Sequence, residues 1–300
     1  IIDFLRRKQI GEDIRDLGLE GQLQKRGTPT MGGLAIICAV VFGSLAAYFI
    51  SGNFGVTEIS LVVGSLLFGI IGFADDYIKV VKKRNLGLTS KQKFLAQLIA
   101  AVVVTVFMSH TGVIGGEIVV PFVKASIDIG LWTIPLAVFV QLAVVNSVNL
   151  TDGLDGLASS VTLIVSLFFM ICAIKVGNTS IAVFMGAVAA ACLGFLFFNA
   201  NPAKVFMGDT GSLFLGGAIA VGAIGLKMPL ILIIAGGIYL IETLSVMIQV
   251  VSFKTTGKRV FKMSPIHHHF ELCGLNEKKI VLLFSFVTVV LCAISYIVVF

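Results

Sequence analysis

Charge is what this chain has least of. Lysine, arginine, aspartate and glutamate make up 13% of its 300 residues, against 57% hydrophobic residues and a mean hydropathy of +1.04. A soluble domain carries roughly 25% charged and about 45–50% apolar residues, so the composition excludes that class and points to a bilayer. Paired cysteines are missing too. Cys38, Cys172, Cys192 and Cys292 lie inside apolar runs, and Cys273 stands alone in a charged loop. None has a partner at metal-ligand spacing, so they read as small core hydrophobes without disulfides. The sequence also opens without a start methionine or signal peptide. Ile1-Ile2-Asp3-Phe4-Leu5, running into Arg6-Arg7-Lys8, reads instead as the tail of a further span.

What the chain has in abundance is uninterrupted apolar length. A membrane span takes about 20 apolar residues. Nine such stretches occur, at roughly 31–51, 57–78, 92–110, 131–149, 157–176, 179–198, 211–226, 229–253 and 279–300. They are continuous rather than alternating ten-residue runs, which selects helices over a barrel. The expected fold is an all-α polytopic membrane protein, a single integral membrane domain over 1–300, with nine spans here and ten in the full protein. Residues 114–129 alternate around Gly115-Gly116 and suggest a short periplasmic β-hairpin. The 229–253 stretch is long and contains Gly236-Gly237, where a bend is expected.

The formal charge of +6 raises nucleic acid as a partner, but its distribution argues against that. Alternating the loops between two sides puts 19 of the 22 lysines and arginines on one side and only Lys124, Lys175 and Lys227 on the other. By the positive-inside rule the crowded side is cytoplasmic, and most of these cations need no role beyond topology and headgroup contact.

That same side collects carboxylates from three separate places. Asp75-Asp76 closes the second stretch. Asp152 and Asp155 occupy Asn149-Leu150-Thr151-Asp152-Gly153-Leu154-Asp155-Gly156. Asp209 precedes a span within Phe206-Met207-Gly208-Asp209-Thr210-Gly211-Ser212. Acids at apolar segments are costly and usually functional. Plainer readings exist: Asp209 as a helix N-cap, Asp152 and Asp155 as turn residues. The Asp75-Asp76 pair resists such a reading, since a helix C-terminus disfavours negative charge and calls for a cation. Oxygen ligands alone favour Mg²⁺ over zinc. Groups suited to phosphate accompany them. Residues 22–33 hold Lys25, Arg26, Thr28 and Gly32-Gly33; Lys91 and Lys93 open the third stretch; Asn146, Asn149 and Asp152 share one helix face. Pro265-Ile266-His267-His268-His269-Phe270-Glu271 reads as hydrogen-bond donors to phosphate or sugar, since a zinc site lacks cysteine and has one nearby acid. His110 reads as an interfacial residue, and Glu242 as a buried interhelical hydrogen bond or a functional group.

Taken together these segments resemble the polyprenyl-phosphate N-acetylhexosamine-1-phosphate transferase superfamily. Within it, Lys25 to Gly33 and Pro265 to Glu271 resemble the phospho-N-acetylmuramoyl-pentapeptide-transferase family, in order and spacing along the whole chain. The resemblance implies transfer of phospho-N-acetylmuramoyl-pentapeptide from its UDP conjugate to undecaprenyl phosphate, with Mg²⁺, on the cytoplasmic face of the bacterial inner membrane. It implies Asp209 as metal ligand, Asp75 and Asp76 as catalytic acids, and His267 as a catalytic donor. Substrate-binding residues would be Lys25, Thr28, Lys91, Asn146, Asn149, Asp152, Asp155, Phe206, Gln249, His268 and His269. A homodimer is a further implication, while the expected bend at Gly236-Gly237 would itself leave an apolar groove for the prenyl chain beside 229–253. A related transferase using UDP-N-acetylglucosamine is the nearer alternative. A secondary transporter is the more distant one, disfavoured by acids at one face and the lack of an internal repeat.

Overall fold

The computed structural model of the chain describes residues 27–52, 54–81 and 87–300. Lys25 and the expected span tail at residues 1–5 lie outside them. Among the described residues, nine helices are long and apolar enough to cross a bilayer. In chain order the helices are α1 (Gly33–Ser51), α2 (Val56–Val81), α3 (Ser90–His110), α4 (Thr133–Thr151), α5 (Leu157–Lys175), α6 (Thr179–Asn199), α7 (Gly208–Gly225), the short α8 (Leu232–Ala235), α9 (Gly237–Thr256), the short α10 (Ile266–Leu272) and α11 (Glu277–Val299). Local chemistry sets several starts. Thr89 and Gln92 form a reciprocal capping box at α3, and the Asn178 and Asn276 side chains cap α6 and α11. The helix α7 has no side-chain cap from its own neighbours.

That helix is the axis of the bundle. It is buried continuously from Thr210 to Ile224, and α1, α2, α4, α5 and α6 pack around it. Small residues make this possible: a Cβ on Gly33 of α1 would overlap the backbone of Gly211, so the two helices touch main chain to main chain. Bulky side chains point the other way. Phe42, Phe139, Phe197 and Phe286 are all about two-thirds exposed or more, a surface that suits acyl chains and not water.

Two boundary differences matter for function. The second stretch runs on to Val81, so Asp75 and Asp76 sit within α2 and not at its tip. The seventh starts at Gly208, which places Asp209 inside the first turn instead of before it. The 229–253 stretch is interrupted at its glycines, as a 3-10 turn (Pro229–Ile231), α8, a break at Gly236, and α9. A Cβ on Gly236 would meet the Leu232 carbonyl oxygen at 2.7 Å, so the break requires glycine there. The hairpin is present: β1 (Glu117–Val120) pairs antiparallel with β2 (Ala125–Asp128), Glu117 opposite Asp128. It joins the ends of α3 and α4 remote from Lys93 and Asn149. Lys227 holds it by a 2.7 Å ion pair to Glu117 and by its carbonyl, which accepts from the Val119 amide at 2.7 Å.

Candidate active site

Three carboxylates meet where α2 ends and α7 begins. One oxygen from each of Asp75, Asp76 and Asp209 lies within 4.8 Å of the others. Asp75 and Asp76 are almost fully buried, and Asp209 is 13% exposed at its side chain. Negative charge so concentrated demands compensation. Lys79, one turn beyond Asp75, bridges Asp75 at 2.7 Å and Asp209 at 2.9 Å. Lys93 of α3 reaches the same Asp209 oxygen at 2.9 Å. The second Asp209 oxygen accepts from the Asn149 side chain at 2.7 Å, and that amide also reaches Ser212 at 2.9 Å.

Asp76 has a different task. Its carboxylate accepts from the backbone amides of Asp209 (3.1 Å) and Thr210 (2.8 Å) and from the Thr210 hydroxyl (2.6 Å). It therefore caps α7 from another helix, supplying the acceptors that α7 lacks locally. The dipole objection to an Asp pair at the end of α2 is thereby corrected: Asp76 answers to the N-terminus of α7. Asp209 as N-cap is excluded as well, since Met207 holds that position with no side-chain cap bond. Gly208 makes the approach possible. It has φ of +72°, and a Cβ there would lie 2.6 Å from the Asp76 carboxylate.

The oxygen-only donor set fits a hard divalent cation. A profile of glycosyl transferase family 4 matches residues 58–227, and signature 1 of phospho-N-acetylmuramoyl-pentapeptide-transferase matches residues 25–37. Curated relatives carry that same name. One from Clostridium botulinum (strain Alaska E43 / Type E3) is 52% identical over 99% of this chain and 90% of its own. One from Acetivibrio thermocellus is 50% identical over 99% and 89%, and one from Halalkalibacterium halodurans 50% identical over 94% and 87%. The chain belongs to the phospho-N-acetylmuramoyl-pentapeptide-transferase family. It is accordingly a multi-pass membrane transferase.

The expected site residues divide into those the cluster includes and those placed around it. Asp75, Asp76, Asp209 and Asn149 form it. Thr28 and Phe206 lie on adjoining strands of chain: the Phe206 amide donates to Pro29 and its carbonyl accepts from Gly32, each at 2.8 Å. Asp152 is half-buried where α4 ends. Asn146, one turn deeper, bonds Gln97 at 2.8 Å instead of the acids. Asp155 is buried and accepts from Asn201 (3.2 Å) and the Ala203 amide (3.0 Å). Gln249 accepts from the Val260 and Phe261 amides, each at 3.0 Å, and donates to the Phe261 carbonyl at 2.9 Å, so it pins the loop after α9. Lys91 is exposed. Lys93, two residues on, is the α3 cation that reaches the cluster, at Asp209 (2.9 Å) and Asn149 (3.3 Å).

The histidines also separate. His268 bonds Glu271 at 2.6 Å, and His269 approaches Cys273 Sγ at 3.7 Å, so Cys273 is not without a neighbour as the sequence suggested. His267 is fully buried, with Nδ1 3.0 Å from Glu242 Oε2. Lys79 is the residue that motif reading passed over. Its signal is the i, i+4 spacing from Asp75 on an apolar helix, which puts the cation over the acid.

Proposed function

We propose that this protein transfers phospho-N-acetylmuramoyl-pentapeptide from its UDP conjugate to undecaprenyl phosphate, giving lipid I and UMP. A phosphate oxygen of the lipid attacks the sugar-linked phosphorus; the diphosphate P–O bond breaks and UMP leaves with its electron pair. The observation that carries this reading is the convergence of Asp75, Asp76 and Asp209 with Lys79 and Lys93 at one end of the bundle. Two anions must be brought together, so repulsion between them is a main obstacle to reaction. Lys79 and Lys93 offset two of the three carboxylate charges, so a divalent cation held there would make that end positive toward both anions. Asp209, with Asp75 beside it, would hold Mg²⁺, which when bound stabilises charge developing on the UMP leaving group.

Asp76 is committed to the α7 amides, whereas Asp75, paired with Lys79 at 2.7 Å and accepting from the Leu88 amide at 2.6 Å, is the acid assigned to accept a proton from the lipid phosphate. Thr28, Asn149, Asp152 and Phe206 line the nucleotide pocket, and Lys25 is the cation assigned to the nucleotide phosphates. Asp155, Gln249 and Asn146 shape its walls through the segments they hold, and Lys91 adds positive potential at the entrance. His267 donates to a substrate phosphate or sugar oxygen, and His268 and His269 order the loop that covers the muramoyl-peptide. The prenyl chain lies along the exposed apolar face of α9, which presents Ile241, Leu244, Ile248 and Val251 beyond the break at Gly236. The site faces the cytoplasm of a bacterial inner membrane, and residues 1–300 act as a single catalytic domain.

The test is incubation of the purified protein with undecaprenyl phosphate and either UDP-N-acetylmuramoyl-pentapeptide or UDP-N-acetylglucosamine. UMP and a lipid-linked product are expected from the first donor alone. Product from UDP-N-acetylglucosamine alone would move the assignment to the related transferase. Uptake of a solute without UMP release would mark a transporter.

A further inference from the structure

Glu242 is a carboxylate buried inside the bundle that the chemistry above does not use. It sits on α9, just past the break at Gly236, with a side chain that is 0% exposed. A buried acid at such a depth is expensive unless something requires it. Its contact is a single 3.0 Å bond from Oε2 to Nδ1 of His267, which opens α10. The second carboxylate oxygen of Glu242 and Nε2 of His267 are both buried without a hydrogen-bond partner among the described residues.

The imidazole is confined on its other side as well. A Cβ on Gly153 would overlap Nε2 and crowd Cε1 at 2.6 Å, so the ring end lies directly on the main chain of the 149–156 link. That link begins at Asn149, the residue bonded to Asp209. With Nδ1–H donated to the Glu242 carboxylate, the ring has one orientation with Nε2 against Gly153, and the form that can also donate from Nε2 is the imidazolium, for which the Glu242 carboxylate is the counterion. A carboxylate that fixes an imidazole through Nδ1 is a recurrent way to set the working nitrogen of a histidine.

We propose that Glu242 is a positioning residue for the transfer reaction, holding His267 so that Nε2 meets a phosphate or sugar oxygen of the substrate over Gly153. Glu242 touches no substrate itself. Because α9 carries Glu242 and α10 carries His267, the bond also ties the broken span to the histidine loop. The inference rests on the donor role given to His267 above.

The experiment is a double-mutant cycle on turnover, with UMP affinity and thermal stability measured in parallel. His267→Ala should lower kcat about 100-fold or more, the usual loss for a positioned acid–base group. Glu242→Ala should lower kcat roughly 10–100-fold with UMP affinity unchanged, as orienting partners do. In the His267→Ala background Glu242→Ala should change kcat by no more than about 2-fold, because its whole effect passes through the ring. Glu242→Gln, which keeps the size and a bond to Nδ1, should recover part of the loss. In ¹⁵N spectra of His268→Gln/His269→Gln protein, the remaining loop imidazole should lose its doubly protonated signature on Glu242→Ala.

Equal loss of kcat from Glu242→Ala in both backgrounds would make Glu242 a packing residue and overturn the proposal. So would full activity of Glu242→Ala beside an impaired His267→Ala. Full activity of His267→Ala is a separate failure, removing the donor role itself. If Glu242→Ala does not fold, Glu242→Gln carries the same cycle.

Discussion

Asp76 and Asp75 are adjacent in sequence and chemically identical, yet their surroundings give them separate work. Asp76 spends both oxygens on the first turn of α7. Asn in its place offers one acceptor and turns an amide N–H toward other N–H groups. Asp76→Asn should therefore destabilise the protein on the order of 1–2 kcal/mol, the usual worth of a helix cap, and lower Tm along with turnover. Asp75→Asn should abolish most turnover with Tm close to that of the parent. Thermal denaturation in detergent alongside the UMP assay distinguishes them, and an equal Tm loss in both would refute the division. Asp209→Ala should remove about 100-fold or more of the activity and flatten its dependence on added Mg²⁺. Substantial Mg²⁺-dependent turnover in that variant would dismiss Asp209 as a ligand. Much of this cluster is legible in sequence because acids in apolar segments stand out against their surroundings. Lys79 and Lys93 are harder to find, since cations near a membrane face are also what topology alone produces. Asp155 and Gln249 are drawn into the site by their motifs, and only the fold shows the amides they serve.

The spans are legible for a physical reason: backbone groups in hydrocarbon must be satisfied locally, so apolar length and helix coincide. Their order around α7 is not legible, because glycine and alanine look alike in a composition and which pair touches depends on the whole bundle. Gly33 and Gly211 make that point. Both lie at the entry to their helices, and their contact brings the segment ahead of α1 against the start of α7, with the Gly33 amide donating to Met207 at 2.9 Å. Gly33→Ala would force the two main chains apart. Overpacking of this kind costs about 1–3 kcal/mol, so a fall in Tm is expected. Turnover should fall further than stability explains, because Asp209 and Thr28 move with the helices that carry them. Gly43→Ala, on the same helix but with open space around it, serves as the control and should match the parent in both measurements. Parent-like turnover and Tm in Gly33→Ala would show that α1 and α7 can separate without disturbing the site.

At the scale of the whole molecule, the acids and the hairpin occupy opposite ends of α3 and α4, and the basic residues are distributed to match. The hairpin end has Lys124, Lys175 and Lys227, whereas the acid end includes the basic loop after α9 and the exposed Cys273. Positive loops stay on the cytoplasmic side during insertion, so the site should open toward the compartment that holds soluble nucleotide sugars. The orientation can be read by thiol labelling without any activity assay. Cys273 is the natural reporter at the acid end. Lys124→Cys, in a Cys273→Ser background, places one in the hairpin turn, where the residue is exposed. Cys38, the other exposed cysteine, lies on α1 among apolar neighbours, where a charged, membrane-impermeant maleimide cannot reach it. In intact cells with a permeable outer layer, the reagent should modify Lys124→Cys and spare Cys273. In inside-out vesicles the pattern should reverse. Labelling of Cys273 from outside would place the acid cluster on the wrong side for a cytoplasmic donor and would overturn the orientation.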